Sequence, residues 1–198
     1  MAKRLFDLSF ATFGLIVLSP ILILIAFLIR KEDGGSIFYR GVRVGLFGKP
    51  FRIFKFRSMV VNAEKLGASS TPDDDSRITK IGKILRKFKL DELPQLLNVF
   101  VGDMSFVGPR PEVQKFVDLY SEEEKAILNL RPGITDWASL WNSDEGAILA
   151  GSPDPDRTYL EKIRPEKIRL QLKYARERSL WIDFVIILQT ISKIIFRS

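Results

Sequence analysis

Leu8-Ser-Phe-Ala-Thr-Phe-Gly-Leu-Ile-Val-Leu-Ser-Pro-Ile-Leu-Ile-Leu-Ile-Ala-Phe-Leu-Ile29 carries no charged residue and is almost wholly apolar. About 20 such residues suffice to cross the hydrocarbon core of a bilayer, so this run decides the class: a membrane-associated chain. A cleaved secretory leader is the first rival. Its apolar region is usually about 7–15 residues, with small residues at a cleavage site after it. Here the run passes straight into Arg30-Lys31, and the segment is read as retained. Ser19-Pro20 sits near its middle, where proline removes a helical hydrogen bond and its ring clashes with the preceding turn. Basic pairs flank both ends, Lys3-Arg4 and Arg30-Lys31. A straight span would put one pair outside, against the cytoplasmic preference of Lys and Arg. A helix that enters, breaks at Ser19-Pro20 and returns keeps both pairs on one side. A kinked span, with neighbouring groups tolerating the proline, is the other reading, and physics alone leaves both open.

Working outward, the 198 residues suit one domain with its own core. Cysteine and histidine are both absent. That excludes disulfides, thiolate nucleophiles and the commonest acid–base group and zinc ligand. Chemistry must use carboxylates, lysine, arginine or hydroxyls, and a metal would be oxygen-bound Mg²⁺. The net charge of +7 implies an anionic partner: nucleic acid, lipid headgroup or phosphorylated substrate.

Residues 36–59 predict a hairpin, Ser36 to Arg43, a Gly45-Leu-Phe-Gly-Lys-Pro50 turn, and Phe51 to Met59. Alternation puts Ile53, Lys55, Arg57 and Met59 on one face. No Asp or Glu occurs between Asp33 and Glu64. This basic, aromatic stretch suits a membrane surface, a nucleic acid, a phosphate site or simply a solvated face. Leu66 to Ser76 reads as a loop. Ile78, Ile81, Ile84-Leu85 and Phe88 then recur at helical spacing among basic residues, a pattern expected at an anionic membrane surface. Leu90-Asp-Glu-Leu-Pro94 breaks that helix and starts another, with Asp91 as its expected N-cap. Gly102 to Glu112 is a loop dense in turn formers. Ser121 and Glu124 form a capping box for a short helix ending at Arg131-Pro132-Gly133. Residues 134–157 look irregular, 158–178 mostly helical with an interruption at Pro165, and Leu180–Phe196 is a final apolar-striped helix, buried or interfacial.

The adjacent carboxylates Asp91-Glu92 are the sharpest chemical candidates. On local sequence alone such a pair is usually plain helix-end electrostatics. A helix N-terminus, the basic helix before it and the absence of His and Cys favour a nucleophilic or phosphate-handling role. Arg110, between two prolines, suits bidentate phosphate binding or a structural salt bridge.

Lys55-Phe-Arg-Ser-Met59, Ser76-Arg-Ile-Thr-Lys-Ile-Gly82, Leu90-Asp-Glu-Leu-Pro-Gln-Leu-Leu-Asn98 and Gly102-Asp-Met-Ser-Phe-Val-Gly-Pro-Arg-Pro-Glu112 together resemble the bacterial sugar transferase family. These are the small monotopic phosphoglycosyl transferases that start glycan assembly on undecaprenyl phosphate. The resemblance covers nearly the whole chain, with four motifs in order, and the chain looks like the minimal catalytic form. It implies an α+β, mainly helical fold: a re-entrant membrane helix broken at Ser19-Pro20 over residues 1–31, a small β-hairpin, and amphipathic surface helices. Residues 32–198 would be a catalytic domain on the cytoplasmic face of the bacterial inner membrane. It implies Asp91 and Glu92 as catalytic dyad, Mg²⁺ held by one of the two carboxylates, with Asp91 the favoured ligand, and Lys55, Arg57, Arg86 and Arg110 as phosphate ligands. Asp91 would attack a UDP-sugar, release UMP and pass the phospho-sugar to undecaprenyl phosphate.

The chain departs from the family pattern at Gly41, where many members carry glutamine. Phe88-Lys89 replaces a usual Thr-Ser, and Asp136-Trp-Ala-Ser-Leu-Trp141 follows Pro132-Gly-Ile-Thr135. A non-catalytic membrane-associated scaffold or lipid-binding protein could use the same basic surface, but the intact Asp91-Glu92 and Arg110 speak against it. A nucleic-acid partner fits the charge and not Leu8–Ile29, and none is expected.

Overall fold

The computed structural model describes residues 2–63, 66 and 70–196. Part of the expected loop, Gly67 to Ser69, lies outside the described residues. The apolar run forms one long helix, α1 (Ala2–Asp33). It is long and apolar enough to cross a membrane, and most of its apolar side chains are exposed. The helix continues through Pro20, which cannot donate to the Ile16 carbonyl one turn back. The Ser19 hydroxyl donates to that carbonyl instead, at 2.8 Å. The disruption at Ser19-Pro20 is thus one missing backbone bond with a side-chain replacement.

Both ends of α1 are fastened to the rest of the protein. Near the start, Lys3 pairs with Asp183, and Arg4 donates to the carbonyls of Val99 (2.6 Å) and Phe100 (2.8 Å). Buried Asp7 accepts from the Ser105 hydroxyl (3.0 Å) and the Phe106 N–H (3.1 Å). Near the end, buried Ile25 and Ile29 pack on Phe56 and Leu85, each such side chain contributing roughly 1.5–3 kcal/mol.

The expected hairpin is present in a single register. β1 (Phe38–Tyr39) pairs antiparallel with β4 (Lys55–Phe56), and β2 (Val42–Val44) with β3 (Pro50–Arg52). Phe47 in the turn is left-handed, at φ 57°. The basic helix is α2 (Lys80–Lys87), capped by the Thr79 hydroxyl, which accepts from Gly82 N. Gly82 lies so near the hairpin that a Cβ there would fall 2.0 Å from the Ser58 carbonyl oxygen. That close approach carries Arg86 over the sheet.

Asp91 is not the N-cap that the sequence suggests. Lys89 turns the chain in a left-handed conformation (φ 55°), Leu90–Glu92 forms a 3-10 turn, and α3 (Gln95–Val101) starts after Pro94 with no side-chain cap. With Lys89 making the turn, Asp91 lies inside the turn and its carboxylate faces elsewhere.

Past α3, β5 (Ser105–Val107) leads through a loop to α4 (Gln114–Val117). The capping box is reciprocal, Ser121 N–H to Glu124 (2.8 Å) and Glu124 N–H to Ser121 (3.3 Å), and opens a 3-10 helix, Glu124–Asn129. The stretch expected to be irregular is structured. β6 (Gly133–Thr135) runs parallel to β5, followed by α5 (Trp137–Trp141), α6 (Glu145–Leu149) and α7 (Pro155–Thr158). These helices are too short for periodicity to register. The Asp136 side chain caps α5, accepting from Ser139 N at 2.7 Å. A π-helical turn, Tyr159–Ile163, joins α8 (Arg164–Glu177), so Pro165 falls in a first turn where it is tolerated. The last helix, α9 (Leu180–Ile195), buries Asp183 and Ile186 and exposes Trp181, Phe184, Leu188 and Ile191. The core between these helices is built from Val107, Leu130, Tyr174 and Ile186, with Phe116, Leu149, Tyr159 and Ile163 beside it.

Candidate active site

A cavity of about 1100 Å³ opens between the hairpin, α2, the acidic turn and the α6–α8 region. Lys55, Arg57, Arg86, Asp91, Glu92 and Arg110, six residues selected from sequence, all line it. Ser19 and Pro20 lie apart, on α1.

Glu92 is the hub. Its Oε1 accepts from Lys55 Nζ at 2.8 Å, and Arg110 grips both oxygens, NH2 on Oε1 at 2.5 Å and NH1 on Oε2 at 3.2 Å. Burial favours the neutral acid, but Arg110 and Lys55 outweigh it and hold the Glu92 carboxyl well below the usual range. Glu92 in turn raises the Arg110 pKa. Burial pulls Lys55 below its ordinary value against the attraction of Glu92.

Asp91 differs. It is 7% exposed, and its Oδ1 has no hydrogen-bond partner. Burial raises its pKa, Lys55 opposes this, and Glu92 adds to the rise. Two adjacent carboxyls are therefore driven apart, one paired and firmly ionised, the other unpaired and poised. Such divergence separates chemical roles within a site.

The cations also divide. Arg86 donates through Nε to the Ser58 hydroxyl (3.0 Å) and has no carboxylate within ion-pair range among the described residues. Burial lowers its pKa, and Asp91 is the first of the acids that oppose this. Arg57, expected on phosphate, has its fork on Asp33 (2.5 and 2.6 Å) and its Nε on the Ser36 carbonyl (2.6 Å). It ties the end of α1 to β4. Arg110 sits on a loop stapled by Gly133 N–H to the Pro109 carbonyl (3.0 Å) and by its own N–H to Asp136 Oδ2 (3.2 Å). Gly108 is required there, since a Cβ would fall 2.3 Å from the Arg131 carbonyl oxygen.

The far rim was not singled out from sequence. Asp73 N–H donates to the Gly146 carbonyl (3.1 Å), Ser70 N–H to Asp156 (2.8 Å), and Gly151 N–H to Asp74 (3.1 Å). The described part of the expected loop is thereby fastened to the α6–α7 region, and Ser70, Thr71 and Asp73 line the cavity. Glu112, Tyr159 and Lys167 form a second buried polar cluster on the wall. Only Glu112 lay in a motif. The others sit in helical runs where nothing local marks them.

No group of three Asp or Glu that could hold a metal occurs among the described residues. Mg²⁺ commonly takes one or two carboxylates, completing its shell with water and substrate phosphate. Both Glu92 oxygens are engaged, so Asp91, which lines the cavity without a hydrogen bond to its Oδ1, is the carboxylate left to fit such an ion.

The bacterial sugar transferase family model matches residues 1–197. The chain is 38% identical over 196 residues to the UDP-N-acetylgalactosamine-undecaprenyl-phosphate N-acetylgalactosaminephosphotransferase of Aeromonas hydrophila, covering 98% of this chain and 43% of that one. It is 34% identical over 198 residues to the UDP-glucose:undecaprenyl-phosphate glucose-1-phosphate transferase of Escherichia coli (strain K12), covering 98% and 40%. With the exopolysaccharide production protein ExoY of Sinorhizobium fredii identity is 36% over 206 residues, covering 96% and 84%. The chain thus spans less than half the length of the first two relatives and most of the third. A family match over almost every residue, on a fold that gathers the motif residues around one cavity, makes this chain a member of the bacterial sugar transferase family.

Proposed function

We propose that this protein is a phosphoglycosyl transferase that moves a sugar-1-phosphate from a UDP-sugar to undecaprenyl phosphate. The observation that carries the reading is Asp91: a buried carboxylate with an unpartnered oxygen, beside Lys55 and Arg86, in a cavity of about 1100 Å³. An unsatisfied buried acceptor costs about 1–3 kcal/mol. Its retention is understandable if a substrate or ion completes it.

In the proposed reaction a carboxylate oxygen of Asp91 attacks the β-phosphorus of the donor. The bond from that phosphorus to the bridging oxygen breaks, and UMP leaves with the electron pair. Asp91 then carries the phospho-sugar as an acyl phosphate. A phosphate oxygen of the acceptor attacks the same phosphorus and frees the Asp91 carboxylate. Arg86, with no carboxylate partner among the described residues, offers its fork to a phosphate. Arg110 and Lys55 hold Glu92 and share their remaining N–H donors with substrate. Mg²⁺, held by Asp91, would neutralise phosphate charge as the carboxylate approaches.

The membrane reading is monotopic, with residues 1–31 re-entrant and residues 32–198 on the cytoplasmic face of the inner membrane. It is supported by both ends of α1 being tied to one body, through Lys3–Asp183 and Arg57–Asp33. The exposed apolar residues of α1, Ile84 and Phe88 near α2, and Trp181 and Phe184 of α9 supply surface for lipid.

The test is incubation with radiolabelled UDP-sugars and Mg²⁺ before any acceptor is added. UMP release and a label on wild type, both absent in Asp91→Asn, are expected. Transfer that requires both substrates bound together, with no adduct, would refute the two-step course.

A further inference from the structure

Glu112 stands two residues beyond Arg110 on the same loop. It forms an ion pair with Lys167 of α8, accepts from the Tyr159 hydroxyl on Oε1 (2.6 Å), and Tyr159 in turn accepts from Lys167 Nζ (3.2 Å). Lys167 is 6% exposed, and Glu145 reaches to within 4.0 Å of it. Tyr159 opens the π-helical turn, a widened geometry often found at functional sites. The reaction as written uses none of these groups, yet they line the same cavity as Asp91 and Glu92.

Charge alternates along this wall: Lys55, Glu92, Arg110, Glu112, Lys167. Besides Glu92, the carboxylates of Glu145 and Asp136 act on the charge of Arg110, and Glu112 follows two residues along its own loop. Arg110 precedes a proline, which favours extended backbone, and residues i and i+2 of an extended segment point the same way. Its charge helps hold Glu112 ionised, after the larger contributions of Lys167 and Tyr159. In the structure its fork rests on Glu92 alone.

We propose that Lys167 is a positioning residue that neutralises Glu112, with Tyr159 fixing the geometry, so that Glu112 does not capture Arg110. The guanidinium is then left for Glu92 and for a substrate phosphate. The inference rests on the reading that Arg110 serves the transfer reaction. Removing one member of a buried pair strands the other charge. A stranded Glu112 is left with the charge of Arg110, which already acts on it from the same loop.

The experiment compares wild type with Lys167→Met, Lys167→Met/Glu112→Gln and Lys167→Arg, assayed for UMP release below their melting midpoints. Lys167→Met should lower kcat about tenfold or more. The double variant should recover to within about threefold of wild type, because the misdirecting charge is gone. Lys167→Arg should keep most activity. A crystal structure of Lys167→Met should have the Arg110 fork on Glu112. If Lys167→Met does not fold, Tyr159→Phe should lower kcat a few-fold, again rescued by Glu112→Gln. A double variant no better than its parent, or Arg110 still on Glu92 in the Lys167→Met structure, overturns the proposal. Should wild type release no UMP from any UDP-sugar, the assigned reaction fails, while the position of Arg110 in that structure still decides the role of Lys167.

Discussion

Neutralising the two adjacent carboxylates should change stability in opposite directions. Asp91 is 7% exposed with an unpartnered Oδ1, and burial raises its pKa despite Lys55. The folded protein therefore disfavours its charge. Asp91→Asn leaves a neutral unpartnered atom in place but removes the buried charge, whose unpaired burial costs about 1–3 kcal/mol or more. For a chain of this size each kcal/mol moves the melting midpoint by roughly 2–4 °C. A gain of several degrees is expected alongside loss of transfer. Glu92→Gln instead leaves Lys55 and Arg110 facing each other. Breaking a buried pair costs about 3–5 kcal/mol. With side-chain exposures of 15% for Glu92, 20% for Lys55 and 32% for Arg110, we discount this to roughly 2–3 kcal/mol. The pH dependence separates the two. A raised folded pKa means that the Asp91 penalty is present at neutral pH and fades as falling pH protonates it, so the Asp91→Asn gain should be smaller at pH 5 than at pH 7. A depressed folded pKa means that Glu92 stabilises fully above the ordinary glutamate value of about 4.3, so the Glu92→Gln loss should persist at pH 5. Thermal melts in detergent or nanodiscs at both pH values measure this. An Asp91→Asn midpoint as low as that of Glu92→Gln would refute the reasoning.

Cysteines placed at Ala2 and Glu32 in this cysteine-free chain should both be labelled only from the cytoplasmic side; outside labelling of position 2 would overturn the re-entrant topology. Arg57→Ala should lower the melting midpoint with donor KM unchanged, since its fork is on Asp33, and a raised KM with an unchanged midpoint would return it to the phosphate site. The hydrogen bond from Arg57, with Gly35 N–H, lowers the Asp33 pKa to about 2, so the stabilisation from that pair is present above the ordinary aspartate value and is lost as pH falls toward 2. Arg110→Lys keeps charge but loses the fork, and turnover should drop about ten- to a hundredfold, the equivalent of ~1.5–3 kcal/mol; near-native turnover would mean that a point charge suffices.

Composition and short-range pattern were enough for α1, for the hairpin with its Gly-Pro turn, for α2 and for the Ser121–Glu124 capping box. Each is a local signal, carried within one run or one turn of chain. The tertiary structure decided the rest. The parallel pairing of β5 with β6 depends on Gly108 and Gly133 letting two backbones touch, which no periodicity reports. Asp91 lost its expected capping role because Lys89 adopted the left-handed turn. Arg57 and Arg110 read alike as phosphate-binding arginines, yet one met Asp33 and the other Glu92. Lys167 gives no local sign of what it does, since its partner Glu112 is brought to it only by the packing of α8 against the Arg110 loop. A side chain's identity sets which interactions it can make, and the free energy of burying its charge, fixed by what surrounds it in three dimensions, decides which one it keeps.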